Sequence, residues 1–241
     1  MIFVENKLSE IILANHQLIP VLYRFGIPLG SGDMSIADAC HKYRIDPLFL
    51  IEMINAFTDH NYKPASELNN FPLSLILKYL HQTHIHYLEH KVPEMNNLIL
   101  KLNNDDKDGL LKYGLIVEFF KEYCKELDNH IANEEDHIFP YIREIEQAWL
   151  QKKCPPSLKK KIQQTSISGF ANTHSDVEEK IRDLKNIMIK YLLAPPDPCL
   201  YHRIINELFM LENDLNHHAS IENNILIPRV KEMEMQLLQW N

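Results

Sequence analysis

One phrase, written twice, constrains this chain more than any other feature of it. Residues 130–140 read HIANEEDHIFP and residues 218–228 read HASIENNILIP. Each places Glu four residues after His and Pro ten residues after it. A spacing of four sets His and Glu one turn apart on one face of a helix. In both copies that face is the apolar one. Around the first copy a seam of three- and four-residue steps runs Phe120, Cys124, Leu127, Ile131, Glu134, Ile138, Tyr141, Ile145, with His130 one turn before Glu134. Around the second it runs Leu208, Leu211, Leu215, His218, Glu222, Ile225. A third stretch repeats the pattern with Phe170, His174, Val177, Ile181, Leu184, Met188, where His174 is the only polar member.

A carboxylate on an apolar seam costs several kcal/mol unless it is compensated or neutralised, and two together also repel. The seams must therefore meet around positive charge, and a pair of divalent cations supplies it: carboxylates bridge, imidazoles terminate. Facing helices of a bundle are where such sites are built. Each element alone has a plainer explanation. A lone seam histidine is ordinarily a hydrogen-bonded core residue, and one His-x3-Glu can lie on a wet helix face. The combination on separate seams is what points to metal: His130, Glu134, His174, His218 and Glu222.

The rest of the chain agrees with a helical fold. Only six of 241 residues are glycine, and no run alternates in the manner of strands. Four long helical stretches, roughly 73–103, 108–153, 157–193 and 199–238, are separated by NNDDKDG, CPP and PPDP. With short connections they predict an antiparallel four-helix bundle over residues 73–241. Residues 1–60 read as a small separate helical unit. LSEIILANHQLIPVLYRF predicts one helix ended by Gly26, IPLGSGDMS a loop, Ser35 an N-cap, and Asp46-Pro47 the start of a third helix. Residues 61–72 read as a linker.

A ligand from the first bundle helix should complete the set, and two registers compete for it. Leu77 and Leu80 put His84 inward. A stripe read back from Leu102, Ile99, Met95, Val92 and Leu88 puts Ile85 and His81 inward instead. Pro93 kinks the helix between them. His84 is the favoured ligand and His81 the alternate. Glu126 and Asp214 each stand four residues before a ligand histidine. Each is either an orienting partner for that imidazole or a solvated charge.

Composition closes several other routes. Net charge is −8 with no basic cluster, which argues against nucleic acid. The opening MIFVENKLSE has no signal-peptide pattern, and no window is apolar enough for a membrane span. Cys40, Cys124, Cys154 and Cys199 form no CxxC pair; they read as small packing residues in a reducing cytoplasm.

Taken together, HIANEEDHIFP, NTHSDVEE and HHASIENNILIP resemble the helical motifs of the hemerythrin-like domain. Their order and spacing are closest to the di-iron repair of iron centres family, over about residues 72–235. That resemblance implies an all-α, hemerythrin-like four-helix bundle behind a small helical domain. It implies two iron ions in a non-haem site with oxo and carboxylate bridges, held by His84, His130, Glu134, His174, His218 and Glu222. An ungapped match sets the family's first-helix histidine opposite Ile85, one place from His84. The small domain also resembles that family's, but where the family often carries an adjacent Cys pair this chain has Gly30 and Ser31. The unit is then expected to dock or to dimerise rather than to do thiol chemistry. The implied function is repair of iron–sulfur clusters under nitrosative or oxidative stress, through iron donation, NO reduction or both. Its partners would be a diatomic gas, NO or O2, and damaged iron–sulfur proteins. The competing expectation is a non-catalytic O2- or NO-binding sensor or carrier.

Overall fold

The computed structural model describes residues 2–58, 71–104, 113–169, 175–192 and 197–240. At the N-terminus, α1 (Leu8–Ala14), α2 (Leu18–Arg24), α3 (Ile36–Tyr43) and α4 (Pro47–Thr58) follow one another. The single helix expected over residues 8–25 is two. Asn15 takes an extended conformation, and its side chain accepts the Gln17 amide at 3.1 Å. That local bond competes with helix continuation, as Asn side chains do. Ser35 does cap α3: its hydroxyl accepts the Asp38 amide at 3.1 Å, and Asp38 reaches back to complete a capping box. Asp46 likewise accepts the amides of Leu48 and Phe49 at the start of α4. The glycine-rich loop uses left-handed backbone at Gly30 and Gly32 (φ 85° and 60°), where a side chain would be strained.

Three of the bundle rods share one construction: a helix, a single π-turn, and a second helix. The first rod is α5 (Leu73–His86), a π-turn at Tyr87–Lys91 and α6 (Val92–Asn104). The second is α7 (Tyr113–Asn133), a π-turn at Glu134–Ile138 and α8 (Phe139–Leu150). In each π-turn an amide bonds five residues back, Val92 to the Tyr87 carbonyl and Phe139 to that of Glu134. The next residue is Pro93 or Pro140. A proline in a regular helix clashes with the carbonyl four residues back. The wider turn relieves that clash without ending the rod, so the proline kink takes the form of a π-bulge.

The stretch expected as one helix over 157–193 is broken. After α9 (Pro156–Gln164), Thr165 leaves the helical conformation (φ −145°, ψ 80°), a 3-10 turn covers Ile167–Gly169, and α10 spans Ser175–Tyr191. The run Thr-Ser-Ile-Ser-Gly is poor helix material, and tertiary partners reward the break. Ile167 is fully buried, and its amide donates to Glu234 Oε1 at 2.8 Å, which also accepts the Tyr141 hydroxyl at 2.5 Å. The last rod is α11 (Pro198–Ile221), a π-turn at Glu222–Leu226 and α12 (Ile227–Gln239). Among the described residues there is no β-strand, only a lone bridge between Lys7 and Ser35, and no helix is long and apolar enough to cross a membrane.

Among the described residues the buried apolar side chains form two cores. One joins α6, α7, α10 and the first part of α11 through residues such as Met95, Phe120, Ile181 and Leu211. The other joins α5, α8, α9 and α12 to the N-terminal helices, so that Leu22, Leu50 and Ile54 share a core with Leu77, Phe139 and Val230. Between the two lies a buried polar layer of His84, Glu134, His218 and Glu222. Each carboxylate of that layer opens a π-turn.

Candidate metal centre

Three rods deliver the polar layer. His84 comes from α5, Glu134 from the junction of α7 with its π-turn, and His218 and Glu222 from the corresponding junction on α11. His84, Glu134 and His218 each place one donor atom within 4.8 Å of the others. His84 Nε2 lies 3.1 Å from Glu134 Oε2 and 3.0 Å from His218 Nε2. Within their own helices, His130 Nε2 is 3.2 Å from Glu134 Oε1, and His218 Nδ1 is 3.3 Å from Glu222 Oε2. Both carboxylates are almost fully buried, and His130 is partly so.

These spacings fit a metal. A first-row divalent ion holds nitrogen and oxygen ligands at roughly 2.0–2.2 Å, which places neighbouring donors about 3 Å apart. Two imidazoles with one carboxylate is also the donor set used by non-haem iron(II). The electrostatics show the same demand for a cation. Burial resists charge on Glu134, but hydrogen bonds from His130 and His84 outweigh it and hold the carboxyl well below the usual carboxylate range. Burial also resists charge on His84, yet Glu134 and Glu135 outweigh it and lift the imidazole to about 9. Burial, with His84 beside it, pushes His218 down to about 3. A proton on His84 thus serves the carboxylates where a metal would.

The residue that orients His84 is Glu135. Its Oε1 accepts from His84 Nδ1 at 2.6 Å, which turns Nε2 toward the cluster. The exposed His81 touches the same oxygen at 3.0 Å from the rim and lies outside the cluster. Neither expected orienting partner orients an imidazole. Glu126 pairs with Lys180, and the buried Asp214 pairs with Arg24 of α2. The Arg24 pairing had a sequence signal: Leu18, Val21 and Arg24 form one stripe, so a charge falls on a buried face. His174 and Phe170 lie outside the described residues, as do 59–70, which hold most of the expected linker. Val177, Ile181, Leu184 and Met188 of the same seam are buried. His217 is a packing residue stacked on Phe57 at 4.0 Å. Of the cysteines, Cys40 and Cys154 are buried, while Cys199 is exposed rather than packed.

Comparison with known proteins adds a second line. The family described as "Hemerythrin HHE cation binding domain" matches residues 77–230, more than half of the chain. A probable iron-sulfur cluster repair protein of Haemophilus influenzae is 23% identical over 244 residues, covering 95% of this chain and 98% of its own. The iron-sulfur cluster repair protein YtfE of Salmonella typhimurium is 26% identical over 115 residues, 47% of this chain and 46% of its own. That of Citrobacter koseri is 28% identical over 122 residues, 50% and 46%. The alignment therefore spans about half the length of the Salmonella and Citrobacter proteins and nearly all of the Haemophilus one.

Proposed function

Because the chain belongs to the hemerythrin HHE cation-binding family, we propose that it is a non-haem di-iron protein of the nitrosative and oxidative stress response that supports repair of iron–sulfur clusters. One observation carries the reading: two His-x3-Glu phrases from separate rods meet a histidine from a third in a buried layer, with donor atoms 3.0–3.3 Å apart. The repair proteins among its relatives give the direction. In this reading His84, His130, Glu134, His174, His218 and Glu222 would hold the iron, the two carboxylates supplying its negative charge. Bound iron supplies redox chemistry and open positions for NO or O2. The chain supplies the rest. Glu135 fixes the ring of His84, the π-turns set the height of both carboxylates, and the apolar cores above and below keep water out. Damaged iron–sulfur proteins are the proposed partners, in the cytoplasm.

A gas sensor without turnover is favoured by one observation, the glycine-rich loop that carries Gly30 and Ser31 and no thiol pair. Iron analysis and anaerobic NO exposure separate the readings. The repair reading expects about two irons per chain, nitrous oxide over repeated turnovers, and recovery of activity by a damaged [4Fe–4S] protein. Iron without any of these products favours the sensor. Protein from iron-supplied cells that carries no iron defeats both.

A further inference from the structure

Arg24 ends α2, outside the bundle, yet its side chain is only 2% exposed. Its guanidinium donates two hydrogen bonds to the Asp214 carboxylate, Nη1 at 3.0 Å and Nη2 to the other oxygen. Nη1 also reaches the Tyr79 hydroxyl at 3.2 Å. The plane lies over the rings of Tyr79 and Tyr87, 5.7 and 5.8 Å from their centroids. Every one of these partners sits on a rod that carries a candidate ligand. Tyr79 is on α5, five residues before His84. Tyr87 opens the next π-turn, and its ring centroid is 6.1 Å from that of His218. Asp214 is one turn before His218 on the same helix.

We propose that Arg24 is a positioning residue of the metal centre: one guanidinium from the N-terminal unit fixes the first and last rods against each other where their histidines meet. A two-point Arg–carboxylate contact sets angle as well as distance. Stability alone is a poor account of it, because apolar residues of similar volume often replace a buried pair at no cost. The inference rests on the metal reading above, and it gives the N-terminal unit a role that needs no thiols.

The test is cobalt(II) titration of the full chain, with absorption spectra and thermal unfolding of the metal-free protein. The double variant Arg24→Met/Asp214→Leu should keep its Tm within a few degrees, bind cobalt about 10–100-fold more weakly, and show shifted bands. Arg24→Lys, which keeps the charge and loses the fork, should fall between the two. Wild-type affinity and bands in the double variant overturn the proposal. So does an unfolded double variant beside an Arg24→Lys that binds as wild type. A wild-type chain that binds no cobalt removes the metal reading itself, a distinguishable result.

Discussion

Glu134→Gln keeps the shape of a side chain that touches both His84 and His130, at 3.1 and 3.2 Å, and removes its charge. An amide can still hydrogen-bond to both rings, but the depressed carboxylate's contribution to stability is lost, so the metal-free variant should unfold several degrees below the wild type at pH about 7; the rise in Tm on adding iron is the readout. Metal binding should suffer far more. Removing a group that merely orients a ligand costs about 10–100-fold in affinity, so about 100-fold is a floor for losing an anionic ligand. Ferrous iron at 100 times the wild-type Kd stabilises the wild type by about 2.7 kcal/mol. For a chain of this size each kcal/mol is worth about 2–4 °C, a rise in Tm of roughly 5–11 °C. The same iron concentration only equals the variant's Kd, which leaves about 0.4 kcal/mol and a rise of roughly 1–2 °C. Anaerobic thermal unfolding followed by circular dichroism at about 222 nm, with and without iron, reads all four values. Equal rises in the two proteins would refute the assignment of Glu134 as a ligand.

Glu135→Ala, which frees the His84 ring, should weaken metal binding about 10–100-fold in the same titration while leaving the donor set intact; unchanged affinity would show that the ring needs no holding. Burial opposes charge on Asp214, but Arg24 outweighs it and holds the carboxyl below its usual range. A depressed acid contributes stability above its unfolded value, about 3.9, and loses it as pH falls through the folded value. Asp214→Asn should therefore lower Tm strongly at pH about 7, with the gap to wild type closing below about pH 4. Glu234→Leu removes the acceptor of the Ile167 amide and should cost about 1–3 kcal/mol, read as a drop of several degrees in Tm. If Tm holds, the break between α9 and α10 owes nothing to that bond.

Much of the bundle was legible because burial follows the helical period. Phe120, Cys124, Leu127, Ile131, Glu134, Ile138, Tyr141 and Ile145 were one seam in the sequence, and all but the half-buried Cys124 are buried. So are Leu208, Leu211, Leu215, His218, Glu222 and Ile225. The helix breaks at Asn15 and Thr165 escaped the periodicity, because each leans on one particular bond that the apolar pattern does not show. One is local, to the Gln17 amide. The other reaches Glu234, 67 residues away. The roles of Glu126 and Asp214 stayed open between orienting partner and solvated charge for a related reason. Periodicity shows that a charge faces inward but not which of many opposite charges it will meet. Asp214 meets Arg24, 190 residues earlier in the chain.

The competing registers of the first rod have a geometric cause, and it bears on the site. Each extra residue turns a helix by about 100°, and a π-turn adds one residue. Leu77, Leu80 and His84 are buried before the turn at Tyr87–Lys91, and Met95, Ile99 and Leu102 after it. Each stripe is right on its own side, and the error lies in extending either across the turn. Proline marks where to stop. Pro140 stands six residues after Glu134 and Pro228 six after Glu222, and both glutamates open π-turns. Counting six back from Pro93 gives Tyr87, which also opens one. The first rod therefore carries a phenol where the other two carry carboxylates, and its histidine stands three residues before that position instead of four. A third carboxylate there would add a further buried negative charge to a layer already holding two. The phenol adds none, and with Asp214 it flanks the one buried guanidinium from outside the bundle.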